Sequence, residues 1–335
     1  MKKLSEMTLK EKLGQLVMCG FEDDYYDEHI KTLVEEYKVA NVIYFARNVK
    51  NIRQLAELNK KVYSEIIKHT GTIPFVGIDQ EGGMVTRIMD GATFAPGSMT
   101  ISATNNPNNA YKIGEIMGEE LAVLGINFNL APSLDTNNNP ANPVIGVRSY
   151  SDDPEMVGLY GNCYIKGLQS KGVLATAKHF PGHGDTKADT HFGYANSQKT
   201  WAEMLTCEMV TFKAGIQWGC QLIMTAHIAA PNVIGSDIPS TMSPVILQDK
   251  LRKELGYQNI IITDAMEVGA ITQQYSNKEA AVGCIKAGVD IVLGPQNFVE
   301  AFDAVVAAVN NGTLSEERIN QSVRRILKLK QSLKN

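Results

Sequence analysis

The sequence has no C-x-x-C spacing, no block of basic residues and no apolar run near the roughly 20 residues that span a bilayer. Its five cysteines, Cys19, Cys163, Cys207, Cys220 and Cys284, are odd in number and scattered. That argues against a disulfide framework and a cysteine-built zinc site, and leaves buried free thiols in a reducing compartment as the expectation. Lys and Arg number 32 against 36 Asp and Glu, a formal net charge of -4. A nucleic-acid partner gripped through its phosphates needs a basic face, so none is expected. There is no P-loop, no G-x-G-x-x-G after an apolar run and no H-E-x-x-H, which disfavours nucleotide binding and the common zinc-hydrolase helix. Lys2 and Lys3 imitate the start of a secretion signal, but Glu6, Lys10, Glu11 and Lys12 interrupt any apolar segment behind them. The expected setting is cytoplasmic, with no membrane association, no cofactor, no metal and no obligate protein partner.

What is present is an ordinary globular composition, 44% hydrophobic and 20% charged over 335 residues. That length admits one domain or two. Short apolar runs recur at 13–21, 41–46, 74–80, 127–132, 173–180, 221–227, 259–266 and 291–295. Between them lie helix-period stretches at 52–68, 110–124, 154–170, 201–217 and 278–287, with two more at 297–310 and 315–333. Ser243 followed by Pro244 reads as a helix cap with proline at the first helical position. Strands apolar on both faces that alternate with helices imply parallel βαβ units. Eight of them predict an α/β fold, a single (β/α)8 TIM barrel with a C-terminal helix. A doubly wound open sheet is the alternative. No linker, composition shift or 20- to 50-residue repeat divides the chain, so residues 1–335 are expected to form one domain.

Ionisable residues collect where these strands end. The third run ends Asp79-Gln80-Glu81-Gly82-Gly83, and the fourth leads into Ser133-Leu134-Asp135. The fifth ends Lys178-His179-Phe180-Pro181-Gly182-His183-Gly184-Asp185, the sixth reaches His227, and the seventh ends Thr263-Asp264. In a parallel barrel these ends open on one face, where βα loops build active sites. Four of the six histidines, His179, His183, His191 and His227, fall there. Asp189 and His191 stand two apart, close enough for the carboxylate to orient the imidazole as a general acid/base. An ordinary turn with a solvated histidine explains the same pair. Asp264 leaves the apolar run Ile260-Ile261-Ile262 as a nucleophile, a metal ligand or a partner for the next loop. Arg87 and Arg148 offer forked donors for hydroxyls or carboxylates, or simple ion pairs. His179, His183, Asp185, Asp189 and His191 are also metal-ligand types within thirteen residues.

The stretch from Lys178 through Thr186, with Asp189 and His191 just after, resembles the hallmark of family 3 glycoside hydrolases, in particular their bacterial β-N-acetylglucosaminidase branch. Asp79-Gln80-Glu81-Gly82-Gly83 with Arg87, Arg148-Ser149-Tyr150, and Thr263-Asp264-Ala265-Met266-Glu267 match in the same order. The resemblance implies a retaining, exo-acting enzyme that frees terminal N-acetylglucosamine from muropeptide fragments or short chito-oligosaccharides. It implies that Asp264 is the nucleophile, His191 the acid/base and Asp189 its dyad partner. It implies that Asp79, Arg87, Arg148, Lys178 and His179 hold the sugar, and that the barrel carries its own acid/base with no second domain. Thr190, Tyr150 and Val268 depart from the commoner Ser, Phe and Met, none at an implied catalytic group. Phosphate as acceptor, a plain β-glucoside as substrate, a metal-dependent hydrolase and a sugar-binding barrel without catalysis are the competing readings.

Overall fold

A computed structural model describes residues 1–190, 193 and 195–333. The parallel strands are β1 (Val17–Met18), β2 (Asn41–Tyr44), β3 (Phe75–Ile78), β4 (Phe128–Asn129), β5 (Leu174–Phe180), β7 (Leu222–Thr225), β9 (Ile260–Thr263) and β10 (Val292–Leu293). Each lies inside one of the eight apolar runs. Six of them form a curled parallel sheet in the order β2-β3-β4-β5-β7-β9, and β1 pairs with β10. Single parallel bridges join this pair to the sheet's two edges, Cys19 with Val42 and Ile262 with Ile291. The strands are buried almost throughout, as expected for a parallel sheet covered by helices. Two further short strands, β6 (Ala195–Asn196) and β8 (Ile228–Ala229), pair outside this sheet and were not anticipated.

Local chemistry explains where helices start and stop. Asn51 caps the helix Ile52–Thr70 by accepting from Gln54 N, and Leu55, Leu58, Val62 and Ile66 give it one buried face. Ser315 caps the C-terminal helix Glu316–Ser332, whose buried face is Ile319, Val323, Ile326, Leu327 and Lys330. Ser243 Oγ accepts from Ile246 N at the entrance to the wide-turn helix Val245–Glu254. The run at 13–21 is largely not strand. Thr8 and Glu11 form a capping box that starts the helix Leu9–Gln15, and the strand comes only after it. The stretch 201–217 breaks into Trp201–Leu205 and Glu208–Gln217. Cys207 leaves helical geometry there, and the buried Glu208 carboxylate is drawn to Asn138 and Lys199 at 2.9 and 2.5 Å.

One continuous hydrophobic cluster runs from the strands into the surrounding helices. All five cysteines are free. Cys19, Cys220 and Cys284 are buried, whereas Cys163 and Cys207 are only partly so. Among the described residues, no helix is long and apolar enough to cross a membrane.

Candidate active site

The C-terminal ends of the strands surround a cavity of about 240 Å³. Asp79, Glu81, Arg87, Arg148, Lys178, His179, His183, Thr190, Asp264 and Glu267 are among its lining residues. Of the expected site residues, Asp79, Arg87, Arg148, Lys178, His179 and Asp264 therefore come together from four different strand ends. Asp189 lies in the same loop, next to Thr190. His191 lies outside the described residues.

The loop after β3 turns back at Gly82 and Gly83, which adopt φ of +94° and +57°. A side chain on Gly83 would strike Gly97 Cα at 2.8 Å, so glycine permits both the turn and the close approach. The turn brings Asp79 and Glu81 to the same wall. Lys178 Nζ lies 3.0 Å from Asp79 Oδ1 and 2.6 Å from Glu81 Oε1. Arg148 makes a forked pair with Glu81, Nε to Oε2 at 3.0 Å and Nη2 to Oε1 at 2.8 Å. Arg87 Nη2 is 3.5 Å from Asp79 Oδ2. Arg148 thus meets a protein carboxylate through Nε and Nη2 while still lining the cavity, and Glu81, which had no assigned role, is the hinge of the network. Burial alone would raise the Glu81 carboxyl, but Lys178 and Arg148 outweigh it and hold it well below the usual range. Burial would likewise lower Lys178, yet Glu81 and Asp79 keep it raised and charged.

His179 is oriented from behind. Its Nδ1 is 2.7 Å from Asp135 Oδ2, and the same carboxylate accepts the amides of His179 and His183 at 3.1 and 2.6 Å. A carboxylate only accepts when ionised, so Nδ1 carries the proton and Nε2 remains for a ligand. Burial opposes charge on Asp135, but His179 and His183 together hold it ionised. Asp135 lies six residues beyond β4, in the loop that the fourth apolar run leads into, whereas Asp79 and Asp264 follow their strands directly.

Asp264 is partly exposed to the cavity, and its Oδ1 accepts from Ala265 N at 2.8 Å. Burial pushes its carboxyl up, and the imidazoles of His179 and His227, the Ala265 amide and Lys178 more than reverse this. It is therefore an anion at neutral pH. His227 is buried behind it, with Nδ1 2.9 Å from Thr241 Oγ1 and Nε2 3.0 Å from Ala265 O, and burial lowers its pKa. Nε2 must donate to that carbonyl, so His227 supports the Asp264 turn rather than facing the cavity.

The loop after β5 is fastened to the loop after β4. Asn142 Nδ2 donates to His183 O and Thr186 O at 2.8 and 2.9 Å, while its Oδ1 accepts from Val144 N and Ile145 N. At Gly184 a side chain would meet Thr136 O at 1.7 Å, so only glycine lets the two loops touch. Among the described residues, His179, His183, Asp185 and Asp189 form no grouping close enough to share an ion. Among the described residues, the grouping close enough to share an ion is Glu35, Glu65 and His69, on two outer helices. The arrangement at the strand ends can grip a polyhydroxylated ring with charged and neutral donors while presenting one anionic carboxylate to it.

Residues 8–329 match the family described as the glycosyl hydrolase family 3 N-terminal domain. "Beta-hexosaminidase A" of Pseudoalteromonas piscicida is 36% identical over 98% of this chain, which spans 62% of that relative's length. "Beta-hexosaminidase" of Hydrogenovibrio crunogenus is 31% identical over 93% of this chain and 88% of its own. Among solved structures, a glycoside hydrolase family 3 β-N-acetylglucosaminidase from Paenibacillus sp. superposes with a TM-score of 0.96 at 42% identity. That match covers 98% of this chain and 63% of the other.

Proposed function

The chain belongs to glycosyl hydrolase family 3, and from that premise we propose that it is an exo-acting, retaining β-N-acetylglucosaminidase. One observation carries the reading. The ionised Asp264 carboxylate opens from the end of β9 into the cavity that Asp79, Arg148, Lys178 and His179 also line. The cavity of about 240 Å³ is smaller than the roughly 300–1,000 Å³ of pockets for drug-sized ligands, which supports recognition of a single terminal sugar. In this reading residues 1–335 are one (β/α)8 barrel domain with a C-terminal helix. The Cys19–Val42 and Ile262–Ile291 bridges support closure of the ring.

Asp79, Arg87, Arg148, Lys178 and His179 hold the hydroxyls and acetamido group of the bound sugar. Asp264 attacks the anomeric carbon as the glycosidic bond breaks, and the leaving oxygen takes a proton from the His191 imidazolium. Water then attacks the glycosyl-Asp264 ester, giving its proton to the now neutral His191. Asp189 beside His191 favours the charged ring and so supports its use as an acid near neutral pH. Muropeptide fragments or short chito-oligosaccharides in the cytoplasm are the substrates, and no metal or cofactor takes part.

Release of nitrophenol from nitrophenyl β-N-acetylglucosaminide tests the proposal, with the sugar product followed by NMR. The β anomer should form first, and Asp264→Ala should cut turnover by at least about 10³-fold. Full activity in that variant would sink the nucleophile assignment. Adding inorganic phosphate separates the competing acceptor: a sugar 1-phosphate product would make the enzyme a phosphorylase.

A further inference from the structure

The loop after β5 contains a second histidine, His183, whose ring faces protein on both sides. Nδ1 is 2.7 Å from Thr186 Oγ1, and Nε2 is 3.2 Å from Thr190 Oγ1. Thr186 also lies 2.9 Å from the carbonyl of His183, to which its hydroxyl can donate. With that proton spent, the network assigns Nδ1 as the donor to Thr186 and Nε2 as the acceptor of the Thr190 hydroxyl proton. Burial, with His179 nearby, lowers the pKa of His183 and keeps the ring neutral, consistent with that tautomer. Neither ring nitrogen is left for a sugar, although the residue lines the cavity.

The frame that holds this ring is rigid. Asp135 Oδ1 accepts the His183 amide at 2.6 Å, and Asn142 Nδ2 donates to the His183 carbonyl at 2.8 Å. Thr190 is fixed from the other side as well. Its carbonyl accepts from Ala270 N at 3.0 Å, and Ala270 lies in the short helix Gly269–Thr272 that follows the Asp264 loop. Thr190 is buried, whereas its neighbour Asp189 is partly exposed. A residue held at both its side chain and its carbonyl fixes the chain that leads into it, which here is Asp189.

We propose that His183 and Thr190 form a positioning pair: the Thr190 hydroxyl, held by His183 Nε2 between the loops after β5 and β9, sets the position of Asp189, the proposed partner of the acid/base, relative to Asp264. The inference rests on the glycosidase reading above and extends it to two residues with no assigned role. It also gives Thr190 a reason for being a hydroxyl residue, which either Thr or Ser supplies.

The test uses aryl β-N-acetylglucosaminides whose phenols range from dinitrophenol to unsubstituted phenol. Thr190→Val keeps the shape of the side chain and removes its hydroxyl. It should lower kcat/KM by about 10²-fold on the phenyl substrate, which needs protonation, and by no more than about 3-fold on the dinitrophenyl substrate, which does not. Thr190→Ser should return the phenyl rate to within about 3-fold of wild type, and His183→Gln should reproduce the valine pattern. The dinitrophenolate burst and thermal unfolding of each variant report whether the nucleophile and the fold survive. Should Thr190→Val fail to fold, the His183→Gln and Thr190→Ser pair decides alone. Equal losses across all leaving groups, or no loss in either variant, would overturn the positioning role. A wild-type chain inactive on every substrate would overturn the glycosidase reading itself, and this inference with it.

Discussion

Two buried ionic networks lie at opposite ends of the parallel strands, and they differ in what they leave unused. Below the strands, Asp290 accepts from Arg252 Nη2 at 2.6 Å and Ile261 N at 3.0 Å through Oδ2. Through Oδ1 it accepts from Ser322 Oγ at 2.5 Å and Arg325 Nη1 at 3.0 Å. That carboxylate is closed on all sides and joins the C-terminal helix to β9 and β10. Above the strands, Asp264 accepts from its neighbour's amide and otherwise meets a cavity. The closed carboxylate of Asp290 ties elements together, and the open one of Asp264 faces a space that a ligand can fill. In parallel α/β folds ligands gather at the C-terminal ends of the strands.

The contrast can be broken by mutating each end and measuring both stability and turnover. Asp290→Ala removes the shared acceptor and leaves the buried Arg252 and the half-buried Arg325 without it. It should cost about 3–5 kcal/mol in chemical denaturation while kcat/KM of the folded fraction stays near wild type. A turnover defect without a stability loss would erase the distinction. Asp135→Asn probes the upper network, where one carboxylate orients His179 and holds two amides. It should lower kcat/KM about 10- to 100-fold, as loss of a supporting partner does at other sites, with a smaller stability effect. A stability loss equal to that of Asp290→Ala would place Asp135 with the structural network instead.

The comparison sharpens further through pH. Lys330 is fully buried, donating to Gln15 Oε1 at 2.8 Å and Ala40 O at 3.2 Å, and burial drops its pKa well below 10.5. The unfolded chain therefore binds a proton there that the folded chain does not. Stability rises with pH between the folded and unfolded values, by up to about 1.4 kcal/mol per pH unit. Unfolding free energies of wild type minus Lys330→Met should accordingly increase from pH 7 toward pH 10. A difference that is flat or falls over that range would mean that Lys330 keeps its charge in the fold.

Much of this architecture is legible in the chain because it depends on local pattern. Eight apolar runs locate eight strands, since a buried parallel strand has to be apolar on both faces. Asp79 and Asp264 are recognisable because each follows such a run directly. What is not legible depends on contacts between distant residues. Glu81 sits in a turn motif, and nothing in its neighbours announces that Lys178 and Arg148 close on it from other loops. His183 looks like a catalytic histidine in sequence, and only its bonds to Thr186 and Thr190 show that both ring nitrogens are occupied. The helix break at Cys207 is equally hidden, because Asn138, which donates to Cys207 Sγ and Glu208 Oε1 there, lies some seventy positions earlier. The first strand begins later than its apolar run for a local reason: the Thr8–Glu11 capping box outweighs the apolar character of Leu13 and Leu16.

The six-stranded ladder and the β1–β10 pair meet through one bridged residue pair on each side. The β2–β3 contact, by comparison, registers four. Two backbone hydrogen bonds flank each bridge, Cys19 N to Asn41 O and Ile43 N to Cys19 O on one side, Thr263 N to Ile291 O and Ile291 N to Ile261 O on the other, and joints this short are where a folded chain opens first. Amide protons at Cys19 and Ile291 should then exchange with solvent well ahead of those at Val76 or Ile223. The strand that delivers Asp264 borders one of these joints, so slow opening of the wall at β10 would reach the cavity floor before it disturbed the Lys178–Glu81–Arg148 cluster on the opposite side.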